Sequence, residues 1–399
     1  MQKSKYDIAT IFKTGISQYC EKSGPLPKEH YSVANALMSC HTAIMGGHVY
    51  RCNSCSHDLI SYNSCRNRHC PSCQSAARAQ WVTNRTAELL PVPYFHVVFT
   101  IPSELNPFVL RNKEKSYNIL FKAASETLLE LAADQRFLGA QSGFISVLHT
   151  WGQNLLDHPH LHCIVPGGGL KGNQWITGTI KDDFLFPVQV MAALFRGKFM
   201  YYFKNALRSG ELKLHGDLRC FEDTAFLKQL IDHCYSVNWV VYAKPPFGGP
   251  DAVLKYLGRY THRNPIANSR IIHMSKTHVT FRWKDYSDND RSKEMTLTIS
   301  EFIRRFLLHV LPKRFVRIRH YGFLGMRIRK ISLQCCREQL CKKEDITIQE
   351  VASAADDESI SDAVQDVPAF ICPHCGCGTM VMHREFLRSA FKRRIKPAA

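Results

Sequence analysis

The chain has 399 residues, a length for one to three domains, and its 45% hydrophobic content can bury a core, which excludes global disorder. Its 52 Lys and Arg against 34 Asp and Glu leave a formal charge of +18, which points to a polyanionic partner, nucleic acid before a membrane surface. No apolar run is long enough to cross a bilayer, and the opening residues MQKSKYDIATIFK carry no signal-peptide apolar stretch. A soluble, cytoplasmic protein with no membrane partner is therefore expected, and in that compartment its 16 cysteines are expected to bind metal rather than form disulfides.

Residues up to 39 read as a short helical lead-in, and 40–73 are dense in Cys and His. A helix is expected over 74–90, stopping before Pro91, followed by an apolar, β-branched strand over 94–101 (YFHVVFTI). Residues 104–135 have helical period, with Pro107 placed to break the first turn. Strands are expected over 143–151 (GFISVLHTW) and 160–165 (HLHCIV), then a turn at Gly167, Gly168 and Gly169. Helices over 187–209 and 224–237 and a strand over 239–244 come next. A helix is expected to start near Pro250 and stop at Pro265, followed by a hairpin over 270–274 and 278–283. Strands and helices without strict βαβ alternation favour an α+β fold. Residues 302–330 hold nine Lys or Arg and no acid, whereas 344–366 hold eight acids and no base, the signature of a flexible acidic linker.

Two knuckle-like pairs, Cys52-x-x-Cys55 and Cys70-x-x-Cys73, stand fourteen residues apart. Zinc takes four tetrahedral thiolate or imidazole ligands, so these four are expected to form one closed structural site. Cys40, His41, His48, Cys65 and His69 lie close enough to alter that site or complete a second one. Near the end of the chain Cys372, Cys375 and Cys377, with His383 as a fourth ligand, suggest a small separate zinc ribbon.

The segment His158-Pro159-His160-Leu161-His162 alternates histidines along a strand. Alternate strand residues share a face, so His160 and His162 can chelate one divalent ion and leave positions open for phosphate oxygens. Gln153, near the end of the preceding strand, is a further candidate ligand. Tyr256 and Tyr260 lie at i and i+4 of the expected helix, stacked on one face. A tyrosine hydroxyl aimed at a metal-bound phosphate can act as a nucleophile, and covalent catalysis keeps the phosphodiester energy for rejoining. Lys255, Arg259, His262 and Arg263 surround the pair with charge, and Arg304, Arg305, Arg317 and Arg319 are candidates for phosphate contacts.

NSCRNRHCPSCQ (63–74), YFHVVFTIP (94–102), HPHLHCIVPGGG (158–169), YLGRYTHR (256–263) and FLLHVLPKRFVRIRHYGFL (306–324) occur in that order. Together they resemble the rolling-circle insertion-sequence transposases of the insertion sequence 91 family, the two-tyrosine branch of the HUH endonucleases, over roughly residues 31–330. The resemblance implies an antiparallel-sheet nuclease core of the ferredoxin-like, palm type, with the histidine pair on a central strand and the tyrosines on a nearby helix. It implies Mg²⁺ or Mn²⁺, a 5′-phosphotyrosine intermediate and a free 3′-OH. By that implication His160 and His162 are the metal pair and Tyr256 and Tyr260 the nucleophiles. No matched motif fixes the third ligand, for which His158 and Gln153 are the candidates. The implied partners are single-stranded DNA at transposon ends and target DNA, in a bacterial cytoplasm and at the nucleoid when DNA is bound.

The expected organisation is a zinc-binding, DNA-binding module (1–90), the nuclease domain with its basic stretch (91–335), an acidic linker (336–368) and a zinc ribbon with a basic tail (369–399). Two other readings differ in chemistry. A zinc-finger DNA-binding regulator explains the charge and cysteines but leaves the histidine strand unused. A metal-dependent phosphodiesterase using water needs the histidines but no tyrosine.

Overall fold

A computed structural model of the chain describes residues 6–86, 88–177, 185–244, 258, 264–286, 288–341 and 370–387. It opens with helices α1 (Ile8–Ser23) and α2 (Lys28–Ser39), strands β1 (Gly47–Cys52) and β2 (Asp58–Tyr62), and helix α3 (Pro71–Thr86). The central part holds β3 (Tyr94–Thr100), α4 (Asn106–Arg111), α5 (Lys113–Ala133), β4 (Gly143–Trp151), β5 (Asp157–Pro166), β6 (Gly168–Lys171), β7 (Gln174–Thr177), α6 (Val188–Arg208), α7 (Thr224–Ser236) and β8 (Val241–Lys244). Then follow β9 (Ile271–Met274), β10 (His278–Asp285), β11 (Arg291–Thr298), α8 (Ile299–Leu308), β12 (Ile318–Gly322), α9 (Arg329–Cys341), β13 (Phe370–Ile371) and β14 (Thr379–Phe386). The fold is α+β with antiparallel sheets, as the sequence led one to expect. No described helix is long and apolar enough to cross a membrane.

The central sheet has strand order β12-β4-β5-β3-β8, antiparallel throughout. Its two faces differ because the side-chain period of a strand is two. Phe95, Val97 and Phe99 of β3, Phe144 and Leu148 of β4, and Leu161, Cys163 and Val165 of β5 are buried in one core. Helices α5 and α6 cover that face with Tyr117, Phe121, Leu128, Phe195, Phe199 and Phe203. Each fully buried Phe, Leu or Val contributes about 1.5–3 kcal/mol, and a one-residue slip would turn the whole set out to solvent. The apolar face therefore fixes the register, and with it the position of every side chain on the opposite face.

Among the described residues, that opposite face is covered at one end only. Ile145 and Val147 of β4 pack with Trp175 of β7, Phe323 and Leu333, while Tyr94 and Ile164 form a small cluster with Trp81 of α3. Farther along the same strands the residues become His96, His149, His160 and His162, and the face opens into a cavity. The helical stretch expected over 104–135, with its break placed at Pro107, keeps Pro107 within α4 and is divided farther on. The break falls at Asn112 (φ −128°, ψ 47°), whose side chain donates to the Phe108 and Lys213 carbonyls and accepts from the Lys213 N–H at 2.7 Å. The expected hairpin gains a third strand, β11, and forms a sheet of order β11-β10-β9.

The boundary expected at residue 90 does not follow the packing. Ile8, Ile11, Phe12 and Ile16 of α1 share a buried core with Phe281 of β10 and with Phe302, Ile303 and Phe306 of α8. The helix expected over 74–90 begins at Pro71, because proline suits the first helical turn. Helix α9 carries regular structure to Cys341, into the segment read as linker; residues 342–369 lie outside the described residues.

Candidate metal centre and cysteine clusters

Three imidazoles converge on the open face. His149 of β4 lies directly across from His160 of β5, and His162 lies two residues farther along β5. Directly opposite and diagonal neighbours on one sheet face are within reach of aromatic side chains. The ring centroids of His149 and His160, His149 and His162, and His160 and His162 are 5.4, 4.5 and 4.8 Å apart. One nitrogen from each can be chosen so that all three lie within 4.8 Å of one another.

Hydrogen bonds orient two of these rings. Nδ1 of His160 is 2.6 Å from the His158 carbonyl, so the outward nitrogen is Nε2. Nδ1 of His162 is 2.8 Å from Nε2 of His96, a residue of β3 that stacks on His162 with rings 12° from parallel. A ligand would again meet Nε2. Such a bond behind a ligating histidine fixes tautomer and ring orientation. Burial holds His96 and His160 down at about 3, with Lys244 adding to the effect at His96 and His158 at His160. Both rings are thus neutral near pH 7, the form a metal requires. His149 stacks on Trp151 at 4.5 Å.

Neither candidate for a third ligand joins this group. His158 supplies its carbonyl to His160 while its ring is exposed, and Gln153 donates to the Tyr286 hydroxyl at 2.9 Å. The third imidazole is His149, which the sequence reading placed on a strand without giving it a role. Its signal is recoverable: counting back from the turn between the two strands sets His149 against His160.

The cavity above the histidines has a volume of about 880 Å³. Trp151, Tyr242, Trp283 and Tyr286 line it with aromatic surface, and Lys244 and Lys284 add charge. Tyr256, Tyr260, Arg259 and Arg263 lie outside the described residues. The four other arginines are engaged inside the chain. Arg304 and Arg305 both hold Glu301 at 2.6 Å, and Arg305 also donates to the Asn154 carbonyl. Arg317 is half-buried and donates to Gln74, and desolvation, with Arg68 nearby, brings its guanidinium down to about 10. Arg319 donates to Asn118 at 2.6 Å and lies over the Phe121 ring. Their spacing in a basic run conceals these internal partners.

The cysteines form two clusters, and the two early pairs do not share a site. Cys70 and Cys73 gather with Cys40 and Cys65, while Cys52 and Cys55 gather with Cys372 and Cys375. In the first cluster the Cys40–Cys73, Cys65–Cys73 and Cys40–Cys70 sulfur distances are 3.6, 3.5 and 3.6 Å. Zn–S bonds of about 2.3 Å define a tetrahedron with edges of about 3.8 Å, so the spacing fits zinc. Hydrogen bonds from Cys65 and Cys70 lower the Cys40 thiol, favouring at that position the thiolate that a metal needs. His69 is not a ligand: its Nε2 accepts the Leu311 N–H at 3.4 Å in a buried setting. His41 is bonded to the Tyr62 carbonyl, and His383 lies on β14, outside both clusters.

Comparison with known proteins gives this arrangement its context. A family model described as "Transposase zinc-binding domain" matches residues 11–101, and one described as "Putative transposase" matches residues 143–331. A Sinorhizobium fredii protein named "Putative transposase y4qJ" is 49% identical over 342 residues, 85% of each chain. The transposase for insertion sequence element IS801 of Pseudomonas savastanoi pv. phaseolicola is 28% identical over 314 residues, 77% of this chain and 73% of that protein. No solved structure matches. The chain belongs to the insertion sequence 91 family of transposases.

Proposed function

We propose that this transposase nicks and rejoins single-stranded DNA at the ends of its element through a 5′-phosphotyrosine, with His149, His160 and His162 as the metal ligands and Tyr256 or Tyr260 as the nucleophile. The observation that carries the reading is the convergence of three imidazoles from two adjacent strands at the floor of an open cavity. Three protein ligands leave coordination positions open, as a catalytic site needs and a structural one does not. A Mg²⁺ or Mn²⁺ ion held there would polarise the non-bridging oxygens of the scissile phosphate. Trp151, Tyr242, Trp283 and Tyr286 offer faces on which unpaired bases can stack, and Lys244 and Lys284 can meet phosphates.

In the proposed reaction the tyrosine hydroxyl attacks phosphorus. The tyrosine O–P bond forms, the P–O3′ bond breaks, and the proton lost by tyrosine is made up at the departing 3′ oxygen. Attack by a 3′-OH on the phosphotyrosine reverses the step and rejoins a strand, with no net loss of phosphodiester bonds.

The test incubates the full chain with labelled single-stranded DNA carrying an element end and Mg²⁺, then runs a denaturing gel. A retarded covalent adduct is expected, absent in His160→Ala and His162→Ala, while DNA binding by both variants stays within a few-fold. Cleavage with no adduct would instead favour a water-using phosphodiesterase. Binding without cleavage of any end would favour a DNA-binding regulator.

A further inference from the structure

The second cysteine cluster joins two ends of the chain that no family match connects. Cys55 and Cys372 are 317 positions apart. The zinc-binding match stops at residue 101 and the transposase match at 331, so neither reaches Cys372 or Cys375. We propose that Cys52, Cys55, Cys372 and Cys375 hold a second structural zinc ion that staples the C-terminal segment onto the N-terminal module.

The backbone around the cluster is shared between the two segments. Strands run in the order β13-β14-β1-β2, with β14 antiparallel to β1 from Gly47 opposite Phe386 to Cys52 opposite Met380. Asn53 ties the two knuckles together: its N–H donates to the Thr379 carbonyl and its side-chain oxygen accepts the Thr379 N–H. The segment that the sequence presents as a separate ribbon is therefore half of a composite one.

The sulfur geometry selects metal over disulfide. Cys52–Cys375 and Cys55–Cys372 are each 3.7 Å apart. A disulfide needs about 2.05 Å, whereas a zinc–thiolate tetrahedron has edges of about 3.8 Å. Backbone amides point at the sulfurs: Ser54 and Cys55 N–H donate to Cys52, His374 N–H to Cys372, and Gly378 N–H to Cys375. Donors so placed stabilise thiolate over thiol. Gly378 also closes against the site, where an added methyl would collide with the Cys52 sulfur. Cys377 stays exposed and His374 stacks on His57, so neither is needed for a complete set of four.

Burial alone is a poor candidate to hold this ribbon. Its core consists of Tyr50, Cys52, Cys372 and Met380, and small units with so little apolar burial depend on a metal or another cross-link. The staple keeps the C-terminal strands docked even though residues 342–369 separate them in sequence from the rest of the fold.

Native mass spectrometry of the reduced full chain should find two zinc ions. Cys372→Ser/Cys375→Ser should retain one, and Cys70→Ser/Cys73→Ser should retain the other. If the latter pair misfolds, Co²⁺ loading of the first variant still decides, because its thiolate-to-metal absorption should be half that of the unchanged chain. Proteolysis between residues 342 and 369 should leave the C-terminal fragment bound through gel filtration. A chelator, or the Cys372→Ser/Cys375→Ser change, should release it. One zinc ion in both the unchanged chain and that variant, or masses showing disulfides after mild reduction, would overturn the proposal.

Discussion

Nε2 of His96 lies 2.8 Å from Nδ1 of His162, so a β3 residue orients a ring of the β5 metal pair from behind. Removing such a support commonly costs 10–100-fold in metal affinity. His96→Phe keeps an aromatic ring in the stack and removes the bond. We expect Mn²⁺ to bind about 10–100-fold more weakly, with the melting temperature little changed. Unchanged Mn²⁺ affinity would reduce His96 to a packing residue.

The three candidates for the third ligand separate by mutation. His149→Ala should abolish both Mn²⁺ binding and nicking. His158→Ala should preserve both within a few-fold, because His158 contributes its backbone carbonyl. Gln153→Ala loses the bond to Tyr286 and should affect DNA affinity more than metal affinity. Nicking that survives His149→Ala but not His158→Ala would return the role to His158.

The arginines bonded inside the chain should act through the fold. Arg317→Met leaves Gln74 without this donor and should lower stability by about 1–3 kcal/mol in urea unfolding. The salt dependence of DNA binding by the folded fraction should not change. Lys284→Ala, in the cavity, should leave stability alone and flatten that dependence by roughly one unit of slope. The reverse pattern would move the phosphate contacts back to the basic run.

Acid should destabilise the protein below about pH 6.5. Burial, the largest cause in each case, holds His30, His309 and His320 down at about 4. Lys113 lies near the first two, and Arg329 and Arg85 near His320. The folded state stays unprotonated where the unfolded chain takes up protons, so stability falls as pH drops from about 6.5 towards 4. Asp157 opposes this, since burial raises its carboxyl to about 7 and favours the folded state as pH drops towards 4. His69, His96 and His160, held by burial at about 3, act in the same direction as the other histidines, so the urea midpoint should be lower at pH 5 than at pH 7. A higher midpoint at pH 5 would refute this balance.

The strands of the site were legible because their apolar faces are. YFHVVFTI and GFISVLHTW announce themselves by β-branched and aromatic residues, and alternation alone put His160 and His162 on one face. What the sequence concealed is pairing between distant segments. His149 becomes a ligand only when β4 is set against β5, and His96 becomes a support only when β3 is set on the other side. Cys52 and Cys55 looked like the partners of Cys70 and Cys73 because the two pairs share the Cys-x-x-Cys spacing. Their neighbours in space arrive more than 300 residues later, in the turn between β13 and β14. The internal partners of Arg304, Arg305, Arg317 and Arg319 stayed hidden for a related reason, since local charge density does not reveal which cations already have partners inside the fold.

The most direct measurement locates the covalent bond. The adduct formed with single-stranded end DNA and Mn²⁺ would be trimmed by nuclease, digested with protease and sequenced by mass spectrometry. The nucleotide should be found on Tyr256 or Tyr260, and Tyr256→Phe/Tyr260→Phe should yield none, since the change removes only the hydroxyls. A nucleotide on Tyr242 or Tyr286, the tyrosines that line the histidine cavity, or an adduct that persists in the double variant, would contradict the two-tyrosine assignment.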